Sequence, residues 1–342
     1  MLYKTMDRLS SIAHAAYLDL RTSLLDDQVA EIQGTPRLEK RGTHSYWYDI
    51  YRVGTTVRKR YIGEDSPEMA ARIGQIRQLV ADREARAKDR LRLIRVLRAE
   101  GAQIIDPATG SLLSALAQAG TFRLGGTLVG TNAFRLYGGE LGLRIRQTDL
   151  LQTGDIDIAQ FERLSLALGD TVDPTLARTF QEIDFEPLPA LNRKAVWRWR
   201  QTRSNTLVEF LTPSFRPEED IRDLPALGVS AQSLHFLNFL IARPIKAAAL
   251  YRSGVLVQIP RPEAYAIHKL IVADRRQAGP DQLKSRKDRA QAALLIEALA
   301  EDRPDELREA QEDALSRGPA WRDHIGRSLR RMPETAARLA AL

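Results

Sequence analysis

TFRLGGTLVGTNAFRLYGGELGLRIRQTDLLQTGDIDIAQ, residues Thr121 to Gln160, is the stretch on which the reading of this chain turns. An apolar, glycine-rich run ends at Gly130-Thr131, a short helical pattern follows, and the segment closes on Asp155-Ile156-Asp157-Ile158. Residues two apart in a strand point to the same face. Asp155 and Asp157 are therefore expected to project together, with Ile156 and Ile158 toward a core. Two carboxylates on one strand face repel each other unless a cation or a proton lies between them. Asp-x-Asp is a common way to hold Mg²⁺, which prefers oxygen ligands.

Around this stretch the chain has 342 residues, 44% of them hydrophobic, enough for one to three domains with a sizeable core. The longest apolar candidate, Ser233 to Leu250, is broken by His235, Asn238, Arg243, Pro244 and Lys246, so no membrane span is expected. The first twenty residues lack the apolar core of a signal peptide, and a cytoplasmic protein is the expectation. The absence of cysteine excludes disulfides and thiolate metal sites. A net charge of +7 suits a polyanionic partner, although an Arg-rich composition also produces such an excess. Residues 1 to 100 hold 19 Lys and Arg against 14 Asp and Glu, so most of that excess lies ahead of the carboxylate region.

Upstream, residues 1 to 33 read as helix. Residues 37 to 63 switch to β-branched and aromatic runs split at Gly54, a hairpin signal. Tyr46, Trp47, Tyr48 and Tyr51 stand close to Arg52, Arg58, Lys59 and Arg60. Such a sheet can stack bases and hold phosphates, or its aromatics can simply form a small core. Ser66-Pro67-Glu68 is a helix start, and Met69, Ile73, Ile76 and Val80, then Leu91, Ile94 and Leu97, mark a long charged connector helix ending at Gly101.

From Gly101 the pattern becomes mixed. Strands are expected at 122–129, 154–158, 183–188, 196–201 and 206–211, with helices at 111–119, 132–136, 160–168 and 174–181. From Arg222 onward the chain reads as mostly helical, with one strand-like interlude at 254–259. Trp197 and Trp199 alternate with Arg198 and Arg200, which reads as an amphipathic strand with its Trp face buried, or as one wall of a substrate groove. There is no paired-His zinc pattern, no nucleophile elbow and no P-loop.

The ordered set Leu128-Val129-Gly130-Thr131-Asn132-Ala133-Phe134, Thr153-Gly154-Asp155-Ile156-Asp157 and Glu209-Phe210-Leu211-Thr212-Pro213 resembles the nucleotidyltransferase superfamily, which includes DNA polymerase beta and the minimal and AbiEii-like enzymes. It is most similar to a bacterial branch with an extra N-terminal region, and the resemblance covers roughly residues 101 to 300. It implies an α+β fold, a nucleotidyltransferase-type mixed sheet flanked by helices. The expected division is an N-terminal helix and aromatic, basic sheet (1–65), a connector helix (66–100), a catalytic core (101–220) and a mostly helical C-terminal part (221–342). It implies Asp155, Asp157 and Glu209 as catalytic metal ligands for Mg²⁺ or Mn²⁺. The family more often has Asp at the third position, so Asp184 and Glu186 in EIDFEPL are the reserve. Gly130 and Thr131 would meet the triphosphate. Lys269, on the helix EAYAIHKLIVADRR, matches a triphosphate-binding lysine of the relatives, Arg275 and Arg276 are further phosphate candidates, and Lys287-Asp288 reads as a structural ion pair or cap. The Gly130-to-Asp155 gap of 25 residues is longer than in minimal relatives, with Gly138-Gly139 and Gly142 marking an inserted turn.

The function so implied is metal-dependent transfer of a nucleoside monophosphate from an NTP such as ATP to a hydroxyl of RNA (tRNA among them), a protein or a small molecule. A toxin–antitoxin or phage-defence setting, with an antitoxin partner, goes with that resemblance. The alternatives are a catalytically inactive nucleotidyltransferase fold and a nucleic-acid-binding regulatory protein that works through the N-terminal sheet. The mutually repelling pair Asp155 and Asp157 speaks against an inactive fold.

Overall fold

In the computed structural model of the chain, the described residues are 6–28, 34–41, 44–53, 56–146, 148–167, 170–188, 195–204, 206–277 and 281–342. The centre is a seven-stranded mixed sheet. Its main path runs Ile221–Leu224, Val229–His235, Leu207–Ser214, Asp155–Ala159, Thr127–Val129. The first half of Leu207–Ser214 also pairs antiparallel with Arg198–Gln201, which in turn pairs with Phe185–Pro187. The acid strand Asp155–Ala159 is parallel to Leu207–Ser214 on one side and antiparallel to Thr127–Val129 on the other.

The alternation expected for these strands sets the two faces. Ile156, Ile158, Val208, Phe210, Leu128 and Trp199 are all buried on one face. They pack with Phe134, Phe180 and Phe185 into the main core. Phe180 lies tilted and Phe210 edge-on against the Trp199 ring, at centroid distances of 4.8 and 5.3 Å. That burial is the dominant stabilising term for the sheet. The carboxylates take the opposite face.

Four expectations change, the first at the N-terminus, where Met6–Arg8 is a strand ahead of helix Ser11–Gln28 and not part of one helix over 1–33. The strand expected over 122–129 forms only at Thr127–Val129, because Gly120 (φ +94°) and Gly125 (φ +93°) turn the chain between them. The region after Arg222 is not mostly helical at its start. Ile221–Leu224 and Val229–His235 extend the central sheet, and Ile245–Ala249 pairs with Val255–Ile259 in a separate hairpin. Their Ser and Gln residues mask the apolar alternation, and Ser230 and Ser233 are buried with hydroxyl partners in Asp223 and Asp220. The Trp face of Arg198–Gln201 is only half buried. Trp199 is in the core, whereas Trp197 precedes the strand and carries the Arg198 guanidinium 4.1 Å above its ring. Helices follow in succession: Pro262–Arg275, Gln282–Asp302, Pro304–Ser316, Pro319–Leu329 and Pro333–Ala340.

The N-terminal residues are tied to this body. Met6–Arg8 pairs antiparallel with Leu143–Ile145, inside the insert between the Gly-Thr turn and the acids. Helix Ser11–Gln28 places Tyr17, Leu20 and Leu24 against Ile94 and Leu97 of helix Pro67–Ala99 and against Ala248 and Leu250. That long helix begins as expected, with the Ser66 hydroxyl accepting from the Met69 N–H at 3.1 Å and Pro67 in the first turn. The sheet Thr35–Arg41, His44–Val53, Thr56–Glu64 is antiparallel, with Trp47 buried and its indole N–H donating to Asp65. Lys59 pairs with Glu39, and Arg58 reaches Glu182 of the core at 3.0 Å. The hairpin position expected at Gly54 lies outside the described residues.

Candidate active site

Register carries the site. Glu209 lies directly opposite Asp157 in the parallel pair, and Leu207 opposite Asp155. Partners across neighbouring strands share a face, about 4.8 Å apart. Asp155, Asp157 and Glu209 therefore stand on one face, all partly exposed, above a floor made of Ile156, Val208 and Phe210. The reserve acids are elsewhere. Asp184 precedes its strand in a left-handed conformation (φ +62°) and pairs with Arg203. Glu186 lies opposite Arg200, three strands from Asp155, roughly 14 Å at ordinary strand spacing.

The electrostatics follow from this crowding. Burial pushes the Asp157 carboxyl up to about 7, helped by the negative charges of Glu209 and Asp155 and opposed by Lys269 and Arg276. Glu209 is raised as well, first by burial and then by Asp155, with Arg198 and Lys284 pulling the other way. Arg198 is opposite Glu209 on the neighbouring antiparallel strand and 3.7 Å from it.

Gly130 closes the other side of Asp157. It follows Thr127–Val129, has φ +64°, and opens the short helix Gly130–Phe134. A Cβ at this position would stand 2.5 Å from Asp157 Oδ2. Only glycine allows both that approach and that backbone. Thr131 is half-exposed in the first turn of the same helix. The buried Asn132 amide donates to the Asp155 carbonyl at 2.8 Å and locks this helix to the acid strand.

Lys269 is buried on helix Pro262–Arg275. Its ammonium pairs with Asp288 at 2.5 Å and lies 5.2 Å above the Tyr265 ring. Arg276 takes the second Asp288 oxygen at 2.8 Å. Burial pushes the Asp288 carboxyl up, but Lys269 and Arg276 outweigh it and hold it below its ordinary range. Arg275 turns away to Glu219. Lys287 donates to the Gln152 carbonyl at the entrance of the acid strand, and its pKa is lowered by burial and by Lys269.

Three positioning residues, Tyr265, Gln291 and Asn132, are given no role by the sequence pattern. The Tyr265 hydroxyl is within hydrogen-bond reach of the Gly130 carbonyl (2.9 Å) and of Gln291 Oε1 (3.1 Å). The Gln291 amide donates to the Leu150 carbonyl. Tyr265, Gln291 and Asn132 thus hold the Gly-Thr turn and the acid strand to the helices behind them. Each is a buried polar residue in an apolar stretch, which is the one signal that points to them.

Three carboxylates make an all-oxygen donor set, the kind a hard divalent cation takes, and their mutual repulsion is what such an ion relieves. Among the described residues no three His, Asp or Glu side chains already close round one point. The fit is thus one of donor chemistry and placement rather than of a finished cage.

The sequence profile described as "Nucleotidyltransferase" matches residues 107–316, and the chain belongs to that family. Nucleotidyl transfer is the general class of activity that goes with it. A second profile, a domain of unknown function (DUF6788), matches residues 16–71. No curated protein matches the chain. Among solved structures, an antigenic nucleotidyltransferase-like protein from Paracoccidioides brasiliensis is 15% identical, with 70% of this chain and 94% of that one covered and a TM-score of 0.37. That likeness is too loose to bear on function. Among the described residues no helix is long and apolar enough to cross a membrane.

Proposed function

We propose that the protein is a Mg²⁺- or Mn²⁺-dependent nucleotidyltransferase that moves a nucleoside monophosphate from an NTP to a hydroxyl acceptor. The observation that supports this most is the register placing Glu209 beside Asp157, on the same face as Asp155 and against Gly130. Asp155, Asp157 and Glu209 are the residues that would hold the metal. When bound, divalent ions neutralise phosphate charge and raise the acidity of the attacking hydroxyl.

The chain's own groups do the rest. Gly130 keeps the backbone low enough for a triphosphate to approach Asp157, and Thr131 offers a hydroxyl at the same turn. Lys269 and Arg276, held by Asp288, put positive charge beside the acids. The acceptor oxygen attacks the α-phosphorus, the bond to pyrophosphate breaks, and the hydroxyl proton passes to the carboxylate set. RNA, a protein and a small molecule are the acceptor classes, and a toxin–antitoxin or phage-defence role with an antitoxin partner is the setting.

The test is incubation with each labelled NTP, Mg²⁺ and a total cell extract, with the Asp155→Ala/Asp157→Ala protein in parallel. Label is expected in one fraction, RNA, protein or small molecules, and is expected to vanish with the double variant. Equal labelling by both proteins would sink the enzymatic reading.

A further inference from the structure

The two faces of the N-terminal sheet differ in chemistry. Along His44–Val53, Trp47 and Asp49 are buried, and Trp47 packs with Ile62 against Met69 and Ile73 of the long helix. Tyr46, Tyr48, Ile50 and Arg52 alternate with them and take the other face. The first three are half-buried and Arg52 is exposed. Across the sheet, Arg37 stands opposite Tyr48, and Thr35 and Lys59 stand on either side of Ile50. The small core belongs to Trp47, so the tyrosines of the outer face are not needed for it. We infer that this outer face binds single-stranded RNA, with bases on Tyr46 and Tyr48 and phosphates on Lys59, Arg37 and Arg52. None of these residues belongs to the carboxylate site, and the inference is independent of the transferase reading.

Charge selects a polyanion. Residues 35–64 hold seven Lys and Arg against three Asp and Glu. Arg37 and Arg52 are exposed and, among the described residues, form no ion pair. Tyr46 and Tyr48 are two residues apart on one strand, roughly 7 Å at ordinary strand rise. A sheet face presents two such rings side by side to successive bases, which only an unpaired strand can splay onto them. The tyrosine hydroxyls and the exposed Thr35 can bond a ribose 2′-OH, the group that tells RNA from DNA.

A carboxylate already occupies a phosphate's place. Glu39 is opposite Tyr46 and Lys59 is opposite Ile50, so their ion pair crosses the middle strand at Tyr48. The Lys59 ammonium lies 4.1 Å from the centre of the Tyr48 ring. A cation over an aromatic ring, bound to a carboxylate, is the arrangement that a backbone phosphate beside a stacked base would reproduce. The two side chains are 34% and 35% exposed, and an ion pair so open to water holds weakly enough to exchange partners. The other acid of this face, Glu64, is engaged by His44 at 2.8 Å.

The test is fluorescence anisotropy of the full chain in chelator with a labelled RNA of mixed sequence, about 12 nucleotides long. The same sequence as duplex RNA and as single-stranded DNA is measured beside it. The single-stranded RNA is expected to bind about tenfold more tightly than either. Tyr46→Ala/Tyr48→Ala is expected to weaken binding about tenfold or more. Arg37→Gln/Arg52→Gln, at two exposed positions outside the sheet's core, is expected to weaken it severalfold. It should also make the slope of log affinity against log salt shallower by about 1.4. Glu39→Gln is expected to strengthen binding severalfold, because it removes the carboxylate that competes for Lys59. A purely structural ion pair would not give that sign.

Unchanged or weaker binding by Glu39→Gln, wild-type affinity in the two-arginine variant, or equal affinity for the duplex or the DNA overturns the inference. Displacement of the RNA by polyglutamate of equal charge also overturns it, in favour of an acidic protein partner. Each of these failures leaves label incorporation at the carboxylate site to its own test.

Discussion

Two carboxylates that feel the charge of the same lysine, Lys269, have opposite surroundings. Asp288 has Lys269 on one oxygen and Arg276 on the other, and its carboxyl is held below the ordinary range. Asp157 has Asp155 beside it and Glu209 across the strand pair, and its carboxyl is raised to about 7. The first is a satisfied group that joins two helices. The second is only about half ionised near neutral pH, because its surroundings disfavour the charge. Structural needs explain Asp288, whereas Asp157 is a crowded carboxylate that a proton or a cation would relieve.

Breaking Asp157 should have the largest effect. Asp157→Ala is expected to lower nucleotidyl transfer on the order of a thousandfold, measured as initial rate of label incorporation, with little loss of melting temperature. Breaking Asp288 should do the reverse. Asp288→Ala strands Lys269 in a buried setting and is expected to destabilise the fold by about 3 kcal/mol in denaturant titrations at pH 7. Because its folded carboxyl is depressed, that contribution is present above about pH 4 and is lost as pH falls below it.

Gly130→Ala sharpens the comparison, since the added Cβ would press on Asp157 Oδ2 rather than remove it. Incorporation is expected to fall by about ten- to a hundredfold, and stability by about 1 kcal/mol from the positive φ.

A smaller and opposite effect belongs to Asp157→Asn. Below about pH 4 the Asp157 carboxyl is protonated in folded and unfolded chains alike. Between there and its folded value of about 7, the folded state holds a proton that the unfolded state has released. Wild-type stability therefore falls through this group as pH rises across that window, and the full penalty is present above it. Asp157→Asn is expected to flatten this slope and to stabilise the protein by about 1–2 kcal/mol at pH 8 in chelator. Added Mg²⁺ is expected to raise the melting temperature of the wild type and not of the variant. The smallest change is expected from Arg198→Ala, whose pairing with Glu209 is half-exposed and long at 3.7 Å, at about 0.5 kcal/mol or less.

The sequence made the acid strand legible because its period of two is unbroken, and the same holds for Val208-Glu209-Phe210. It made the connector helix legible through Ser66 and Pro67, whose chemistry is local. What stayed hidden depends on partners far along the chain. Leu207–Ser214 sits between Asp155–Ala159 and Val229–His235, and nothing local to Ser230, Gln232 or Ser233 announces a place in that sheet. Lys269 was readable as a lysine in need of an anion, and Asp288 as an ion-pair member, but their pairing with each other is tertiary. The opposition of Arg198 to Glu209, and the Tyr265 hydroxyl at Gly130, likewise arise only on folding.

The insert that departs from the shorter pattern has a use of its own. Leu143–Ile145 pairs with Met6–Arg8, Gly139 packs against the Tyr17 ring, and Glu140 is buried between the Tyr17 hydroxyl and Arg21. During synthesis, residues 6 to 8 emerge far ahead of every partner they have here. Asp7 meets Arg146 across a sequence separation of 139 residues, and Arg8 meets Asp302 across 294. Domains fold in the order in which the ribosome releases them, but this strand must wait until the acid strand's own insert has been made. Residues 6 to 8 thus dock after those partners have been made, and their docking completes a two-stranded sheet with Leu143–Ile145, ahead of the helix Thr148–Leu151 that leads toward Asp155.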